Sequence, residues 1–308
     1  MNADMTCAII IPTKDRPEGL RAAVSSAVAA LPPNGHVVVV DDGSSVPAAS
    51  SVAEFDYAPV DVIENPGPHG ASAARNFGVA QVNAETIFFL DDDDVMLPDY
   101  PARVLAALEG PGACAHFGFS AIQRGDKIKG KNLNDGIMPA EVPLSERLAG
   151  LGMGFWIRRD TFQDVGGIEE SLTVNEDTEF YLRLAANGLV SWYSQTPGVS
   201  IRPPTSNGQG DLDSVTNRSS AAERATAFEK ILTRHQSFLQ HHPAQRRAFA
   251  RRVVKYRVRA WGINSARAFI RCQPSGRTSL LLNALGWRAS GLLTRRKSHA
   301  ASRWGSTT

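Results

Sequence analysis

The sequence predicts an α/β fold in which helices cover both faces of a parallel sheet. Apolar runs of strand length alternate with segments of helical periodicity in the first part of the chain, a pattern typical of β-α-β units. The apolar runs are nearly continuous, as in strands that are buried on both faces. A polar cluster follows each of the best-defined runs. Beyond about residue 218 helical patterns dominate, which predicts a helical C-terminal extension.

The first half contains four predicted strands and two predicted helices. Pro12 closes the first strand, and Asp41 directly follows the second. Asp15 is the expected N-cap of the first helix, with Pro17 in its first turn. The predicted strands are residues 7–11, 37–40, 60–63 and 86–90, and the predicted helices are residues 15–31 and 71–82.

The second half is less regular. Its predicted strands are residues 114–122 and 152–157, and its predicted helices are residues 98–109 and 177–187. Residues 124–145 are polar and rich in Lys, Asn and Gly, which predicts a flexible loop. Residues 203–217 have the Pro, Ser and Gly content of a linker.

Composition and cysteine content place the chain among ordinary globular proteins. Hydrophobic residues make up 43% and charged residues 21% of its 308 residues. Cys7, Cys114 and Cys272 are few, odd in number and widely spaced, so the sequence supports neither a disulfide framework nor a zinc site. The N-terminus lacks signal-peptide features, and no window of about 18 residues is apolar enough to span a membrane. We therefore expect a cytoplasmic protein.

Charge is divided unevenly along the chain. Residues 1–229 hold all 31 acidic residues and 16 of the 33 basic ones, whereas residues 230–308 hold 17 basic residues and no acidic one. Such asymmetry indicates an anionic partner for the basic part. Three interpretations remain open: a peripheral contact with an anionic membrane, an acidic glycan acceptor, or packing against the acidic part of the same chain. No nucleic-acid recognition motif accompanies the charge, so we expect no nucleic-acid partner.

Four consecutive carboxylates, Asp91 to Asp94, follow the predicted strand 86–90. Like charges repel one another, and a divalent cation is the usual reason for gathering oxygen ligands at the end of a buried strand. The alternative is an acidic, solvated loop.

Two further polar clusters follow predicted strands, at residues 12–16 and 41–44. Because the carboxyl ends of parallel strands meet at one edge of a sheet, the three clusters are expected to line one pocket. There Asp41 or Asp42 could accept hydrogen bonds from a base or a ribose, although residues 41–44 could equally turn the chain and cap a helix. Arg75 adds a cation near this edge, where it could also simply pair with the acidic run.

These sequence motifs, in this order, resemble those of glycosyltransferase family 2, whose fold is the nucleotide-diphospho-sugar-binding GT-A fold. The matching stretches are residues 9–16, 38–44, 70–78, 89–94, 98–100, 166–168 and 175–184. The resemblance implies a Rossmann-like, mostly parallel sheet flanked by helices. It covers about residues 7–202, which gives a catalytic domain at 1–205 with a nucleotide-sugar half to about 100 and an acceptor half beyond it. A linker at 206–217 and a basic helical region at 218–308 complete the expected organisation.

The resemblance also implies roles for individual residues. Asp91-Asp92-Asp93 is similar to the family's DXD motif, which holds Mn²⁺ or Mg²⁺ against the donor diphosphate, with Asp91 and Asp93 as metal ligands and Asp93 as the direct one. Asp177 matches the general base, and its place at a helix N-terminus is expected to keep it ionised. The positions that match nucleotide contacts are Thr13, Asp41, Asp42, Arg75, Asp91 and Asp92.

The function implied is an inverting, metal-assisted transfer of a sugar from a nucleotide-diphospho-sugar to an acceptor hydroxyl. Cell-surface polysaccharide or glycolipid assembly is the expected setting, with a glycan or lipid-linked acceptor. The family's histidine after the last core strand is missing, and Arg202 stands in that region. Two alternatives are a magnesium-dependent phosphohydrolase and a non-catalytic sugar-nucleotide-binding protein. The aromatic pairs Phe155-Trp156 and Trp192-Tyr193 could stack on sugars or pack in the core.

Overall fold

The computed structural model describes residues 5–201 and 219–289. The chain divides into two compact units, Met1–Gly208 and Gln209–Thr308. The linker predicted at residues 206–217 and Arg202 lie outside the described residues. Among the helices of the described ranges, none combines the length and apolar content that a bilayer crossing requires.

The first unit is built on one sheet, which contains ten strands within the described residues. In chain order they are β1 Cys7–Thr13, β2 Gly35–Asp41, β3 Val60–Glu64, β4 Thr86–Phe89, β5 Asp94–Met96, β6 Phe117–Arg124, β7 Lys127–Lys129, β8 Gly136–Ile137, β9 Trp156–Arg158 and β10 Ser191–Ile201. The spatial order is β3-β2-β1-β4-β9-β6-β10-β5, with β7 beside β6 and β8 beside β10. The predicted α/β class is confirmed.

The sheet is parallel in its first half and mixed in its second. Strands β3, β2, β1 and β4 run parallel, and Thr13 pairs with Asp41 in the register of β1 and β2. Every residue of β1 is buried, as the continuous apolar run predicts. Beyond β4 the pairs β4–β9, β9–β6 and β10–β5 are antiparallel, while β6 and β10 are parallel.

Seven α-helices flank this sheet in the described part of the first unit: α1 Pro17–Ala30, α2 Ala48–Val52, α3 Ala71–Ala80, α4 Tyr100–Leu108, α5 Leu144–Arg147, α6 Arg159–Asp164 and α7 Glu176–Ala186. The glycines of α1 and α3 allow these two helices to approach the sheet closely. A Cβ atom on Gly19 would lie 2.6 Å from the carbonyl oxygen of Asp92, and one on Gly78 would lie 2.7 Å from Ile10. Helix α1 therefore packs directly against the acidic run.

An aromatic core fixes α7. Phe180 and Tyr181 of this helix are buried, with ring centroids 6.0 Å and 5.3 Å from those of Phe155 and Phe117, respectively. Offset and edge-to-face aromatic pairs of this kind add to the free energy gained from burial. The packing holds the first turn of α7 in a defined position.

The second unit is helical in its described residues, as predicted. Its helices are α8 Ala221–Arg234, α9 Gln236–Gln240, α10 Pro243–Trp261, α11 Ile263–Arg271 and α12, which covers residues 277–289. Arg257 connects three of them. It bonds both carboxylate oxygens of Glu229 on α8 and the backbone and hydroxyl oxygens of Ser265 on α11.

Several sequence predictions are corrected in detail. Asp15 does not cap α1: the N-cap is Arg16, and the Asp15 carboxylate instead accepts bonds from Ser45. The predicted strand 152–157 begins only at Trp156, and the predicted loop 124–145 contains β7, β8 and the start of α5. Neither β5 nor β10 was predicted.

Candidate active site

The three strand-end clusters meet at one edge of the sheet, as expected. Strand β1 lies between β2 and β4, and Leu90, just after β4, donates its amide to Ile10 of β1. Residues 12–16, 41–44 and 91–94 therefore lie at or just after the carboxyl ends of three neighbouring parallel strands.

A turn gathers three carboxylates of the acidic run. The amide of Asp94 donates to the carbonyl of Asp91 at 3.0 Å, which brings the two ends of the run together. Single carboxylate oxygens of Asp91, Asp93 and Asp94 lie within 4.8 Å of one another. Hard oxygen ligands at this spacing fit Mg²⁺ or Mn²⁺. Asp94, which is not among the metal ligands that the resemblance implies, belongs to the same cluster.

Asp92 bonds to the loop after β1. Its Oδ2 atom accepts the hydroxyl of Thr13 at 2.8 Å, and its Oδ1 atom accepts Nη1 of Arg16 at 2.8 Å. Asp92 and Thr13 are both buried, and burial raises the pKa of Asp92 despite the opposing effects of Arg16 and Thr13. Two predicted nucleotide contacts, Thr13 and Asp92, thus bind each other and shape the wall of the site.

Arg75 connects the acidic run to α7. Its Nη2 atom lies 2.5 Å from Oδ1 of Asp91, and its Nη1 atom lies 4.0 Å from Oε1 of Glu176. Burial opposes its charge, but the carboxylates of Asp91 and Glu176 outweigh that effect and raise the pKa of the guanidinium. Its Nε and Nη1 atoms are buried and have no hydrogen-bond partner among the described residues. Arg75 is therefore a fixed positive charge between the two acidic groups.

Asp177 occupies the first turn of α7. Its Oδ1 atom accepts the amide of Thr178 at 2.6 Å and the hydroxyl of Thr178 at 3.2 Å. Burial raises the pKa of Asp177, and these hydrogen bonds and Arg75 oppose the rise only in part. Burial therefore acts against the ionised form that the helix terminus is expected to favour, and burial is the largest of the effects on this pKa. A raised pKa makes the carboxylate a stronger base, nearer to the pH at which a general base works best.

Asp41 is engaged within its own loop, whereas Asp42 bonds to the loop after β3. Asp41 accepts the amides of Ser44 and Ala48 at 2.8 Å each, so it turns the chain and binds the first residue of α2. Burial raises the pKa of Asp41, but its bonds to Ala48 and Ser44 outweigh this and lower the pKa overall. Asp42 accepts Nδ2 of Asn65 at 2.7 Å and the amide of Gly70 at 2.7 Å. The bonds of Asp41 agree with the turn-and-cap interpretation, whereas those of Asp42 join the loops after β2 and β3.

A pocket of about 230 Å³ lies beside these loops. The loops after β1 and β2 form it, with Thr13, Arg16, Ser44 and Ser45 among its lining residues. Asp15 ties the two loops together, because it accepts both the amide and the hydroxyl of Ser45 at 2.7 Å.

The sequence interpretation missed a glycine-rich loop at residues 149–154. A Cβ atom on Gly150 would lie 3.1 Å from Oδ2 of Asp177, and one on Gly152 would lie 3.1 Å from Oδ2 of Asp91. The loop therefore passes both the predicted base and the predicted metal ligands. Its signal in the sequence is the alternation of glycines in Ala-Gly-Leu-Gly-Met-Gly, just before β9.

The aromatic pairs mostly pack in the core. Phe155, Trp156 and Tyr193 are almost completely buried, whereas Trp192 is partly exposed. The sugar-stacking alternative is thus excluded for the three buried rings.

Comparison with known proteins identifies the class. A sequence profile of glycosyl transferase family 2 matches residues 8–166, more than half of the chain. The profile and the fold together define a glycosyltransferase with a GT-A fold. This assignment argues against the two alternatives, a phosphohydrolase and a non-catalytic sugar-nucleotide-binding protein. The chain belongs to glycosyl transferase family 2.

Three relatives illustrate the range of the family. An uncharacterised glycosyltransferase of Haemophilus influenzae is 28% identical over 229 residues, which cover 67% of this chain and 74% of that protein. The succinoglycan biosynthesis protein ExoU of Rhizobium meliloti is 30% identical over 200 residues, 58% of this chain and 57% of ExoU. The Escherichia coli UDP-Glc:alpha-D-GlcNAc-diphosphoundecaprenol beta-1,3-glucosyltransferase WfgD is 24% identical over 151 residues, 49% of this chain and 58% of WfgD. The matches thus span less than two thirds of ExoU and WfgD.

A solved structure supports the fold. The crystal structure of residues 1–349 of TarS from Staphylococcus aureus, in complex with UDP-GlcNAc, matches with a TM-score of 0.66 at 15% identity. The match covers 97% of this chain and 92% of that one.

Proposed function

We propose that this protein is an inverting, metal-dependent glycosyltransferase that takes its sugar from a nucleotide-diphospho-sugar. The observation that carries the proposal is the position of Arg75, a buried cation that contacts Asp91 and lies 4.0 Å from Glu176, next to Asp177. This arrangement supports a site with the proposed metal ligands on one side of Arg75 and the proposed base on the other. A donor with an anionic diphosphate and an acceptor hydroxyl need those two functions together.

Asp177 is the proposed general base. Its carboxylate takes the proton of the acceptor hydroxyl while that oxygen attacks the anomeric carbon from the side opposite the leaving group. The bond from the anomeric carbon to the diphosphate oxygen breaks in the same displacement, so the configuration inverts. Asp91, Asp93 and Asp94 would hold a divalent cation, which supplies Lewis-acid stabilisation of the departing nucleoside diphosphate.

Arg75 and the loops after β1 and β2 complete the donor site. Arg75 keeps Asp91 oriented and adds positive charge beside the diphosphate. The pocket that Thr13, Arg16 and Ser44 help to line supports a nucleoside site. The UDP-GlcNAc complex of TarS makes UDP sugars the first donors to test.

The acceptor and setting are proposed from the relatives. ExoU is named for succinoglycan biosynthesis and WfgD for a diphosphoundecaprenol-linked acceptor. We infer a glycan or lipid-linked acceptor in polysaccharide or glycolipid assembly, on the cytoplasmic side.

A panel of sugar nucleotides tests this function. The full chain is incubated with each donor, with Mn²⁺ or Mg²⁺ or with EDTA, and release of UDP, GDP or dTDP is measured. Asp93→Ala should lower metal-dependent release on the order of 10²-fold, and Asp177→Asn should lower it by about 10²-fold or more. Asp61→Asn, an exposed carboxylate on β3, is the control. Release that survives Asp93→Ala contradicts the metal assignment, and full activity of Asp177→Asn contradicts the assignment of the base.

The second unit supports a proposal about location, namely peripheral contact with an anionic membrane. Its described helices expose Trp261, Leu282 and Leu285 by 50%, 65% and 43%. Leu282 and Leu285 are three residues apart on α12, so they share a face of that helix. These three residues lie within residues 230–308, which contain 17 basic residues and no acidic one. Exposed apolar side chains among basic residues are typical of interfacial binding. Vesicle binding by the full chain tests this proposal.

A further inference from the structure

One nitrogen of Arg16 bonds to two carboxylates of the acidic run. Its Nη1 atom donates to Oδ1 of Asp92 at 2.8 Å and to Oδ2 of Asp93 at 3.0 Å. The two acceptor side chains, Asp92 and Asp93, differ in how freely they can move. Asp92 is buried and its other oxygen is held by Thr13, whereas the side chain of Asp93 is 51% exposed.

Asp93 also belongs to the candidate cation cluster. One of its oxygens lies within 4.8 Å of oxygens from Asp91 and Asp94. The same carboxylate is therefore shared by a guanidinium and by the ligand set of a divalent cation. A guanidinium and a divalent cation that both contact one carboxylate lie close together, so their positive charges repel each other.

Among the described residues, Arg16 and Arg75 both bond the acidic run, and they differ in their ability to move. Arg75 is buried, and the carboxylates of Asp91 and Glu176 surround its charge. The side chain of Arg16 is 31% exposed and lies on the loop that leads into α1. Arg16 is thus the arginine that can release its carboxylate.

We propose that Arg16 and the divalent cation compete for Asp93. Cation binding breaks the bond between Arg16 and Asp93, while the bond between Arg16 and Asp92 persists and keeps the guanidinium beside the donor site. Asp92 is then the anchor of this arginine, and Arg16 sets the cation affinity of the protein before the donor binds. The inference rests on the metal site of the proposed function and adds a residue that controls it.

Mn²⁺ binding to the substrate-free full chain tests the competition. The concentration of free Mn²⁺ is followed by electron paramagnetic resonance in the unsubstituted protein and in Arg16→Gln. Removing an ion pair that is worth up to about 1 kcal/mol should tighten Mn²⁺ binding about fivefold. Arg16→Lys, which retains a cation at the same position, should bind Mn²⁺ nearly as the unsubstituted protein does.

Lys14→Gln is the matched control for charge. Lys14 is exposed and lies two residues from Arg16, so its removal lowers the local charge equally without freeing Asp93. Its expected effect is less than twofold. Equal affinities in the unsubstituted protein and Arg16→Gln, or an equal gain in Lys14→Gln, would overturn the inference. If none of these proteins binds Mn²⁺, the metal assignment of the proposed function fails as well, so the two failures can be distinguished.

A second measurement tests the competition without Arg16→Gln, in case that variant does not fold. Side-chain ¹⁵N resonances of arginine are recorded for the unsubstituted protein, and the resonance that is lost in Arg16→Lys belongs to Arg16. Titration with Mg²⁺ should shift this resonance in step with cation binding. A resonance that stays in place while Mg²⁺ saturates the protein contradicts the competition.

Discussion

Asp177 shows how the environment of a single residue sets its chemistry. Burial raises the pKa of its carboxyl, while the amide and hydroxyl of Thr178 and the charge of Arg75 stabilise the ionised form. As the proposed general base, Asp177 can act only when ionised, so activity is expected above its raised pKa and is expected to fall as the pH drops through that pKa.

Replacing Thr178 should move this acid limb. Thr178→Val removes the hydroxyl that donates to Oδ1 of Asp177 at 3.2 Å but keeps the amide. The ionised carboxylate loses a stabilising bond, so the pKa of Asp177 rises further and the acid limb of kcat/KM shifts to higher pH. A weak hydrogen bond of about 0.7 kcal/mol corresponds to a shift of about 0.5 pH unit.

Thr161→Val is a closely matched control. Thr161 bonds Asp160 in the first turn of α6 at 2.5 Å through its amide and 3.2 Å through its hydroxyl, the same pattern as Thr178 and Asp177. Its pH profile of kcat/KM should not move. A shift of the acid limb to lower pH in Thr178→Val would contradict Asp177 as the base.

The grouping of these residues could be predicted from the sequence, but their hydrogen bonds could not. The carboxyl ends of parallel strands meet at one edge of a sheet, which brings Thr13, Asp41 and Asp91 together independently of loop conformation. The partners of Asp42 include Asn65 and Gly70, and those of Asp92 include Thr13 and Arg16. Those contacts depend on loop conformation, for which the sequence gives no periodic signal.

At the scale of elements, the pattern of apolar residues decided which strands could be predicted. Strands β1, β2 and β4 are continuous apolar runs because both of their faces are covered. Strand β10 contains polar residues and a Pro-Gly step, and its register against β6 shifts between Ser194 and Val199. Strand β5 has three residues and begins inside the acidic run. Neither strand has the alternation or the continuous apolar character by which strands are predicted.

The glycine-rich loop 149–154 gives a prediction at the same scale. Gly152→Ala places a Cβ atom 3.1 Å from Oδ2 of Asp91, and Gly150→Ala places one 3.1 Å from Oδ2 of Asp177. The first variant should raise the Mn²⁺ concentration that gives half-maximal activity, because it crowds Asp91, a proposed metal ligand. The second should lower kcat at saturating Mn²⁺, because it crowds Asp177, the proposed base. Effects of about three- to tenfold correspond to roughly 1 kcal/mol each.

The two glycine variants control for each other, since they lie two residues apart in one loop. Gly286→Ala, with no atom within 4 Å of the added Cβ, is a neutral reference in the second unit. Titration of activity with Mn²⁺ for all three variants separates metal affinity from turnover. Identical effects of Gly150→Ala and Gly152→Ala on both parameters would show that the loop simply tolerates no side chain.

For the whole molecule, the charge asymmetry could be predicted from the sequence, but the exposed apolar residues could not. In the described part of the second unit, Leu280 and Ala284 of α12 pack into a small core with Ile270, whereas Leu282 and Leu285 face outward. A helical pattern alone does not distinguish these two faces, since leucine occurs on both.

The membrane proposal predicts that binding depends on both charge and apolar contact. The full chain should co-sediment with vesicles that contain phosphatidylglycerol, bind vesicles of phosphatidylcholine alone far less, and dissociate as salt rises. Arg251 and Arg259 are exposed on α10. Each should contribute about fivefold to binding, because a basic residue near an anionic surface adds about 1 kcal/mol. Leu282→Ser with Leu285→Ser should weaken binding that remains at high salt.

The matched control for charge is Arg124→Gln with Lys127→Gln, two exposed basic residues of the β6–β7 hairpin in the first unit. If vesicle binding responds only to net charge, this pair and the pair Arg251→Gln with Arg259→Gln will weaken it equally, and the assignment to the second unit fails. Binding to a soluble polyuronate without binding to vesicles would instead favour the acidic-glycan interpretation. The variants of α10 and α12 and the control pair all remove exposed side chains, but they differ in the unit that carries them. Loss of vesicle binding only in the variants of α10 and α12 therefore identifies the basic helical unit as the part that contacts the membrane.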